Sequence, residues 1–448
     1  MPVVINAKEA CMTLFGSWVR IGAFVSALFL SSAAFGTEPE PLAEAPAAGW
    51  EYAAFMRHAL VHSPHLSKTA LQLRIRRMDE DDSRSEMLPE VSLHATHYVS
   101  EGSSIGIAAD TYRPFEAYYS LKVRQILTEI AKLRHVTVLS EAHYTVAQHF
   151  FRHEHLNKMI DVQRELIVQA QKKHAYAENR RQAGAASQLD ARIAAQELSV
   201  RRAELKSLEI NNAALLDTLT RFIDGDPARP VALDTADIRR LLPPVGFVPP
   251  ETDRILGASP VFRIARLGEQ LQQYHIRLAH AAYIPTFSME LRQPDIIDEP
   301  HNDDFVFAVC ARFPLWDGGK RHRDIARQKI VMEQVETETW LQKNALIDTW
   351  HSAAQDLEKA GTELSLSAAA EELSALKLAQ TRLLYEQDKA PLPALFDDTL
   401  TYHVARKNHL KNQLAHDLAQ LLVHHLSGNL FGEHIHLLNL QDIANDNN

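Results

Sequence analysis

The chain carries the same arrangement twice, and this constrains its fold more than any other feature. Ser63-Pro64 opens a stretch that closes at Leu88-Pro89, and Ser259-Pro260 opens another that closes at Ile284-Pro285; both proline-to-proline intervals are 25 residues. Each copy then passes through alternating segments and a long proline-free run to a turn. The turns are Gly184-Ala185-Ala186-Ser187 and Asp388-Lys389-Ala390-Pro391. Two tandem units offset by about 196 residues are too long for a solenoid repeat, and they predict a pseudo-symmetric body.

Proline and glycine give the class of structure. No proline lies between Pro114 and Pro227, and from Tyr112 to Asp224 the sole glycine is Gly184. Residues 315–390 are likewise free of proline. Such stretches read as nearly continuous helix. At ~1.5 Å per residue, about 55 helical residues reach ~80 Å, so the predicted molecule is elongated.

The N-terminus differs from the rest. Lys8 and Arg20 precede the apolar run Ile21–Leu30, and Ala34-Phe35-Gly36 supplies small residues at a cleavage position. Residues 1–36 therefore read as an export signal, the run being shorter than the ~20 residues of a membrane span. The whole chain carries a net charge of −10; without Lys8, Arg20 and Glu9 the remainder has 45 basic and 56 acidic residues, a net −11. That balance makes nucleic acid a poor partner. Cys11 lies in the signal and Cys310 stands alone after it, which leaves no internal disulfide and no cysteine metal site.

After each Leu/Ile-Pro pair the period changes to two. Val91, Leu93, Ala95, His97 and Val99 alternate with polar residues, and Ala117, Tyr119, Leu121 and Val123 alternate with Tyr118, Ser120, Lys122 and Arg124. In the second copy Phe287, Met289 and Leu291 oppose Ser288, Glu290 and Arg292, while Phe305, Phe307, Val309 and Ala311 oppose Val306, Ala308, Cys310 and Arg312. Two hairpins of two-faced strands are predicted. One face is apolar; Lys122, Arg124, Glu290 and Arg292 crowd the other, the pattern of a membrane barrel with a watery lumen. Four strands cannot close alone, whereas 12 strands from three chains leave no open edge.

The helices fit that geometry. The long helix, roughly Ile126–Arg181, is predicted to be matched in length by Gln188–Phe222 and Leu66–Met87 stacked end to end. Twelve positions from Leu139 to Ala177 step by threes and fours, and eight are apolar; His149, His153, Gln163 and His174 interrupt this coiled-coil seam. The fold class is thus mainly α with a small β part: duplicated long helical hairpins plus two β-hairpins, giving four strands and a helical wall to a trimeric barrel-tunnel. The domain reading is a signal peptide at 1–36 and a first repeat at 37–257, with β-hairpin 90–125, helical hairpin 126–222 and an irregular proline-rich equatorial segment 224–257. A second repeat follows at 258–428, with β-hairpin 286–313 and helical hairpin 318–427, and a polar tail at 429–448.

These residues resemble the TolC-like outer-membrane efflux proteins of Gram-negative bacteria over about residues 50–428. The likeness is carried by the paired Ser-Pro…Leu/Ile-Pro units, by the strand exit Phe313-Pro314-Leu315-Trp316-Asp317-Gly318-Gly319, and by a tip motif present twice. The motif reads Gly184, Ser187, Leu189 and Asp190 in one copy, and Tyr385, Asp388, Pro391, Leu395 and Asp397 in the other. The resemblance implies a homotrimer whose 12-stranded barrel sits in outer-membrane lipid and whose helical tunnel descends into the periplasm. It implies that the tips dock a periplasmic adaptor, and that an inner-membrane pump of RND, ABC or MFS type delivers the cargo. The channel subunit would make or break no bond and need no cofactor. In the family an acidic ring constricts the tunnel near the second tip; Asp397 matches one such position, Ala394 fills the other, and Asp398 adjoins. Asp388 and Pro391 replace the usual glycine and serine, which predicts a stiffer turn and a late start to the helix after it.

Chemistry elsewhere is weakly signalled. His149 and His153 stand one helical turn apart, with His155 close by, and such pairs hold transition metals. No third ligand accompanies them, so hydrogen-bonding histidines are the plainer reading; His424-His425 and His434/His436 read the same way. Asp79–Asp82 reads as a solvated helical face rather than a calcium site. No nucleophile with its base and no phosphate loop stands out, and Gly318-Gly319 marks a strand-to-helix turn. Two functions remain open: a passive export duct of a tripartite efflux or type I secretion machine, and a periplasmic coiled-coil scaffold or adaptor without a barrel. A histidine-based metal binder is a third.

Overall fold

The computed structural model describes residues 49–98, 102–226, 229–243, 250–293, 306–313, 315–428 and 430. The predicted signal at 1–36 and the predicted tail after Gly428, Leu430 apart, lie outside the described residues. The duplication is explicit in the elements. In the first half, β1 (Trp50–Glu51) and α1 (Tyr52–His62) lead into α2 (Pro64–Ser85), β2 (Val91–Tyr98) and β3 (Gly102–Tyr112). Helices α3 (Pro114–Gln182) and α4 (Gln188–Phe222) follow, and then β4 (Leu233–Asp234) and a 3-10 turn at Ile238–Leu241. The second half holds α5 (Thr252–Ala258), α6 (Pro260–Ala281), β5 (Thr286–Gln293), β6 (Val306–Arg312), α7 (Lys320–Glu386) and α8 (Leu392–Leu426). The lengths agree closely: 22 residues for both α2 and α6, 69 and 67 for α3 and α7, 35 for both α4 and α8.

Prolines start these helices where their missing N–H costs nothing, as Pro64, Pro114 and Pro260 do in the first turn. Pro114 also corrects the predicted first hairpin. Residues 117–124 are not its second strand; they belong to α3, which Pro114 and Glu116 open. Lys122 and Arg124 are therefore helical, and their assignment to a barrel lumen falls. The true partner strand is β3, whose Gly-Ser-rich sequence has low strand propensity. It holds because β2 and β5 pair with it on both sides, in the order β2-β3-β5-β6. The second hairpin lies where the alternation puts it; Phe305 is outside the described residues.

At ~1.5 Å per residue α3 alone spans ~100 Å. Along one side α2 covers its upper part, with Thr128 donating to the Arg76 carbonyl and Thr69 Oγ1 lying 2.8 Å from His135 Nδ1. Below, α4 takes over, and Asn212 meets His153 while Gln163 meets Arg201. The handover is a small apolar cluster in which Phe222 of α4 joins Leu66 of α2 and Leu139 of α3. The two shorter helices do stack end to end beside the long one, but with 22 and 35 residues they do not match its 69, because α3 begins at Pro114 rather than near Ile126. On its other side α3 packs against α6 and α8, which pack in turn on α7.

The predicted seam is one of two. Ile167 and Ala170 face Leu198 of α4, but Val162 and Leu166 face Leu400 of α8, so α3 is apolar on two flanks. The largest core lies at mid-height, where Tyr52 and Phe55 of α1 meet Phe150 edge-on at 5.4 and 5.7 Å between ring centres. The described part of the proline-rich segment supplies Val231, Ile238 and Leu241 to that core. Burying side chains of this size contributes roughly 1.5–3 kcal/mol each, so the equator anchors the helical wall.

Candidate functional site

The two tips are the same turn written in different residues. Helix α3 ends in a Schellman motif: Gly184 is left-handed at φ +72°, and the N–H of Ala185 reaches the Arg180 carbonyl at 2.8 Å. Helix α7 ends identically, with Asp388 at φ +55° and the N–H of Lys389 on the Leu384 carbonyl at 2.8 Å. Three residues later each return helix is capped. Ser187 forms a capping box with Asp190, its Oγ accepting from the Asp190 N–H at 3.1 Å while the carboxylate accepts from the Ser187 N–H at 3.1 Å. Pro391 holds the equivalent place by its extended backbone, without a side-chain cap. Helix α8 thus begins at Leu392, the counterpart of Gln188, and the predicted late start does not occur. Pro393 is accommodated because it falls in the first turn, where no N–H is needed. Leu189 (65% exposed) and Tyr385 (39%) project beside these turns, and Leu395 is half-buried.

The two acidic candidates point to different helices. Asp397 accepts from Lys173 of α3 at 2.8 Å, and Lys173 also contacts Glu197 of α4 at 3.2 Å. Asp398 accepts from Thr381 of α7. Burial by itself would lower the Lys173 pKa, but its hydrogen bonds to Asp397 and Glu197 outweigh this and raise it. Lys173 remains an ammonium that ties three helices. Nothing in the sequence marks it, since its partners come from other parts of the chain.

The sheet has two chemically distinct faces. Across its four strands, Val91, Ala109, Met289 and Val309 form one register row, and Leu93, Ile107, Leu291 and Phe307 form the next. The large members of both rows are exposed, Phe307 at 62% and Leu93 at 59%. The opposite face carries the rows Ser92, Ala108, Glu290, Ala308 and His94, Gly106, Arg292, Val306. Small residues in β3 let His94 Nε2 approach Glu290 Oε1 to 3.5 Å across that strand. Glu290 therefore stands on the polar face as expected; Arg292 falls in the same face by register, and its side chain is outside the described set.

No family model and no curated protein matches the sequence. Solved structures do match in three dimensions. The outer-membrane channel OprN superposes with a TM-score of 0.74 at 14% identity, over 84% of this chain and 90% of that one. The Campylobacter jejuni CmeC outer-membrane channel gives 0.72 at 11%, over 84% and 85%. The open-state Neisseria gonorrhoeae MtrE outer-membrane channel gives 0.69 at 17%, over 85% and 89%. The chain has the TolC-like fold.

Within that TolC-like frame, the strand-to-helix junction and the histidines find structural roles. At the junction Gly318 and Gly319 are left-handed at φ +67° and +78°, and the Asp317 carboxylate accepts from the N–H groups of Arg321 and Gly319 at 3.0 and 3.1 Å. The Arg321 N–H chiefly holds the Asp317 pKa below the usual range. His153 donates from Nδ1 to Asn212 and accepts from Asn157 at Nε2, and Asn212 donates to Asn157, closing a three-side-chain loop. His149 donates to the Thr145 carbonyl at 2.7 Å. The His149/His153 pair is thus engaged in hydrogen bonds, and among the described residues no group of three or more His, Cys, Asp or Glu is arranged to hold a metal. His155 is fully buried with Nε2 3.4 Å from Asp417 Oδ2, and burial raises the pKa of Asp417. His424 reaches the Leu241 carbonyl, and His425 lies 3.3 Å from Ser140 Oγ; His434 and His436 are outside the described residues.

Proposed function

We propose that this chain is the outer-membrane channel subunit of a Gram-negative export assembly, a passive duct from periplasm to exterior. The carrying observation is the four-stranded sheet, with large apolar side chains exposed in register on one face and polar residues on the other. Among the described residues its outer strands β2 and β6 each have one edge without a partner strand, and an apolar, open-edged sheet is sustained by closing a barrel within lipid. Three copies would supply 12 strands. No described helix is long and apolar enough to cross a membrane, so the lipid contact in this reading belongs to the sheet.

The helices support the same homotrimer. Leu366, Leu373, Leu376 and Leu383 of α7, at one border of the wall, and Leu189, Ile193, Val200 and Ile210 of α4, at the other, are exposed in the single chain. Packing the α7 of one copy against the α4 of the next would bury both. The tip residues Gly184, Ser187, Leu189, Asp190, Tyr385, Asp388, Pro391 and Leu395 form the surface on which a periplasmic adaptor would dock, below an inner-membrane pump. Asp397 and Asp398 are the constriction candidates. The structural neighbours are outer-membrane channels by name, and with them this reading assigns no catalysis to the chain.

Membrane fractionation with the mass of the detergent-extracted protein tests the proposal. A trimer in the outer-membrane fraction is expected. A monomer that stays soluble in the periplasm would favour the scaffold reading instead.

A further inference from the structure

In the histidine pair that the sequence singles out, His153 has both ring nitrogens in hydrogen bonds and His149 has its Nδ1 so engaged, but the fold presents another pair with the same spacing. His58 and His62 lie one turn apart on α1, beside its buried stripe of Tyr52, Phe55, Met56 and Ala59, and both are half-buried. Their ring centres are 4.2 Å apart with planes tilted by 32°. Metal–nitrogen bonds of ~2.0–2.1 Å place two cis imidazoles with ring centres on the order of 4–5 Å apart, a separation these two rings match. Neither ring has a hydrogen-bond partner among the described residues, in contrast to His153, whose two nitrogens are both occupied.

We propose that His58 and His62 form a bidentate site for a divalent transition metal, with the remaining coordination positions filled by water or an added ligand. The site is anchored. Helix α1 is pinned by its apolar stripe and by the Tyr52 hydroxyl, which donates to the His143 carbonyl at 3.0 Å, so metal binding needs no ordering of the backbone. Trp50 packs 4.9 Å from the His58 ring and provides an internal reporter. Two nitrogen donors and no thiolate favour Cu(II), which heads the affinity order of the divalent first-row metals at such sites.

The test is a Cu(II) titration of the tag-free protein in detergent, followed by calorimetry and tryptophan quenching, with electron paramagnetic resonance of the loaded sample. Saturable binding of one Cu(II) per chain, with splitting from two imidazole nitrogens, is expected. His58→Ala and His62→Ala should each weaken it by at least the ~10-fold that loss of a merely supporting contact costs. His149→Ala should leave it unchanged. Circular dichroism melting of each variant separates lost binding from lost fold, and His62→Gln supplies a second substitution at the same place. Absence of saturable binding overturns the proposal. So does binding that survives the His58→Ala/His62→Ala double variant and is lost in His434→Ala/His436→Ala. The channel reading is unaffected by either result.

Discussion

Lys173 and Asp397 are 224 residues apart in sequence and 2.8 Å apart in space. With Glu197 at 3.2 Å, the same ammonium joins α3 to the return helix of its own hairpin and to that of the other repeat. Single partly exposed pairs are worth only ~0.2–1 kcal/mol. The consequence is local rather than global: Lys173→Met should leave the melting temperature nearly unchanged and speed amide hydrogen exchange at 392–400. Equal exchange in both proteins would remove the tie from the account.

The tip turns differ in how much strain they hold. Asp388 adopts a left-handed conformation that costs a non-glycine residue about 1 kcal/mol, whereas Gly184 adopts it freely. Asp388→Gly should therefore stabilise the second tip by up to about 1 kcal/mol, and Gly184→Ala should destabilise the first by a similar amount. Ser187→Ala removes the capping box and should cost about 1 kcal/mol. Hydrogen exchange of the N–H groups bonded in each turn, those of Ala185 and Asp190 in the first and Lys389 and Ala390 in the second, reads each effect at its own turn.

The two faces of β6 can be separated by neighbouring substitutions. If the apolar rows meet lipid, Val309→Arg should cost about 2–4 kcal/mol near the bilayer midplane and deplete the outer-membrane fraction. Ala308→Arg, one residue away on the face that holds Glu290, should assemble normally. Equal tolerance at both positions would contradict a lipid-facing sheet.

Acid should weaken the wall near mid-height. His425 is stacked on Tyr144, with ring centres 4.6 Å apart, and burial lowers its pKa to about 4 from an ordinary 6.5. The unfolded chain takes up a proton there that the folded chain refuses, so stability present above pH ~6.5 is lost as pH falls towards 4. About 2 kcal/mol should be gone by pH 5. Melting curves at pH 7 and pH 5 should differ less in His425→Gln than in the natural protein.

At the strand-to-helix junction, Asp317→Ala should fray the start of α7, because the N–H groups of Gly319 and Arg321 lose their acceptor. Faster proteolysis near residues 317–323 is the expected signature.

Much of this architecture was legible because it is local. The proline-to-proline spacing, the proline-free runs, and the Gly184/Ser187 turn with its Asp388/Pro391 counterpart all act through backbone torsions of nearby residues. The turn positions and the helix ends beside them follow directly from these, whereas the start of α3, read near Ile126, lies at Pro114. The faces of β5 and β6 follow from a period of two. Tertiary structure decided the rest. Ala117–Arg124 alternates like a strand, yet Pro114 starts a helix that packing on α2 and α6 extends through it. Gly102–Tyr112 has little strand propensity of its own and becomes a central strand because β2 and β5 pair with both of its edges. Which histidines are occupied, and which acid Lys173 holds, depend on side chains that arrive from distant helices. One-dimensional periodicity sets how each element is shaped; which groups become partners is set by the packing that brings those elements together.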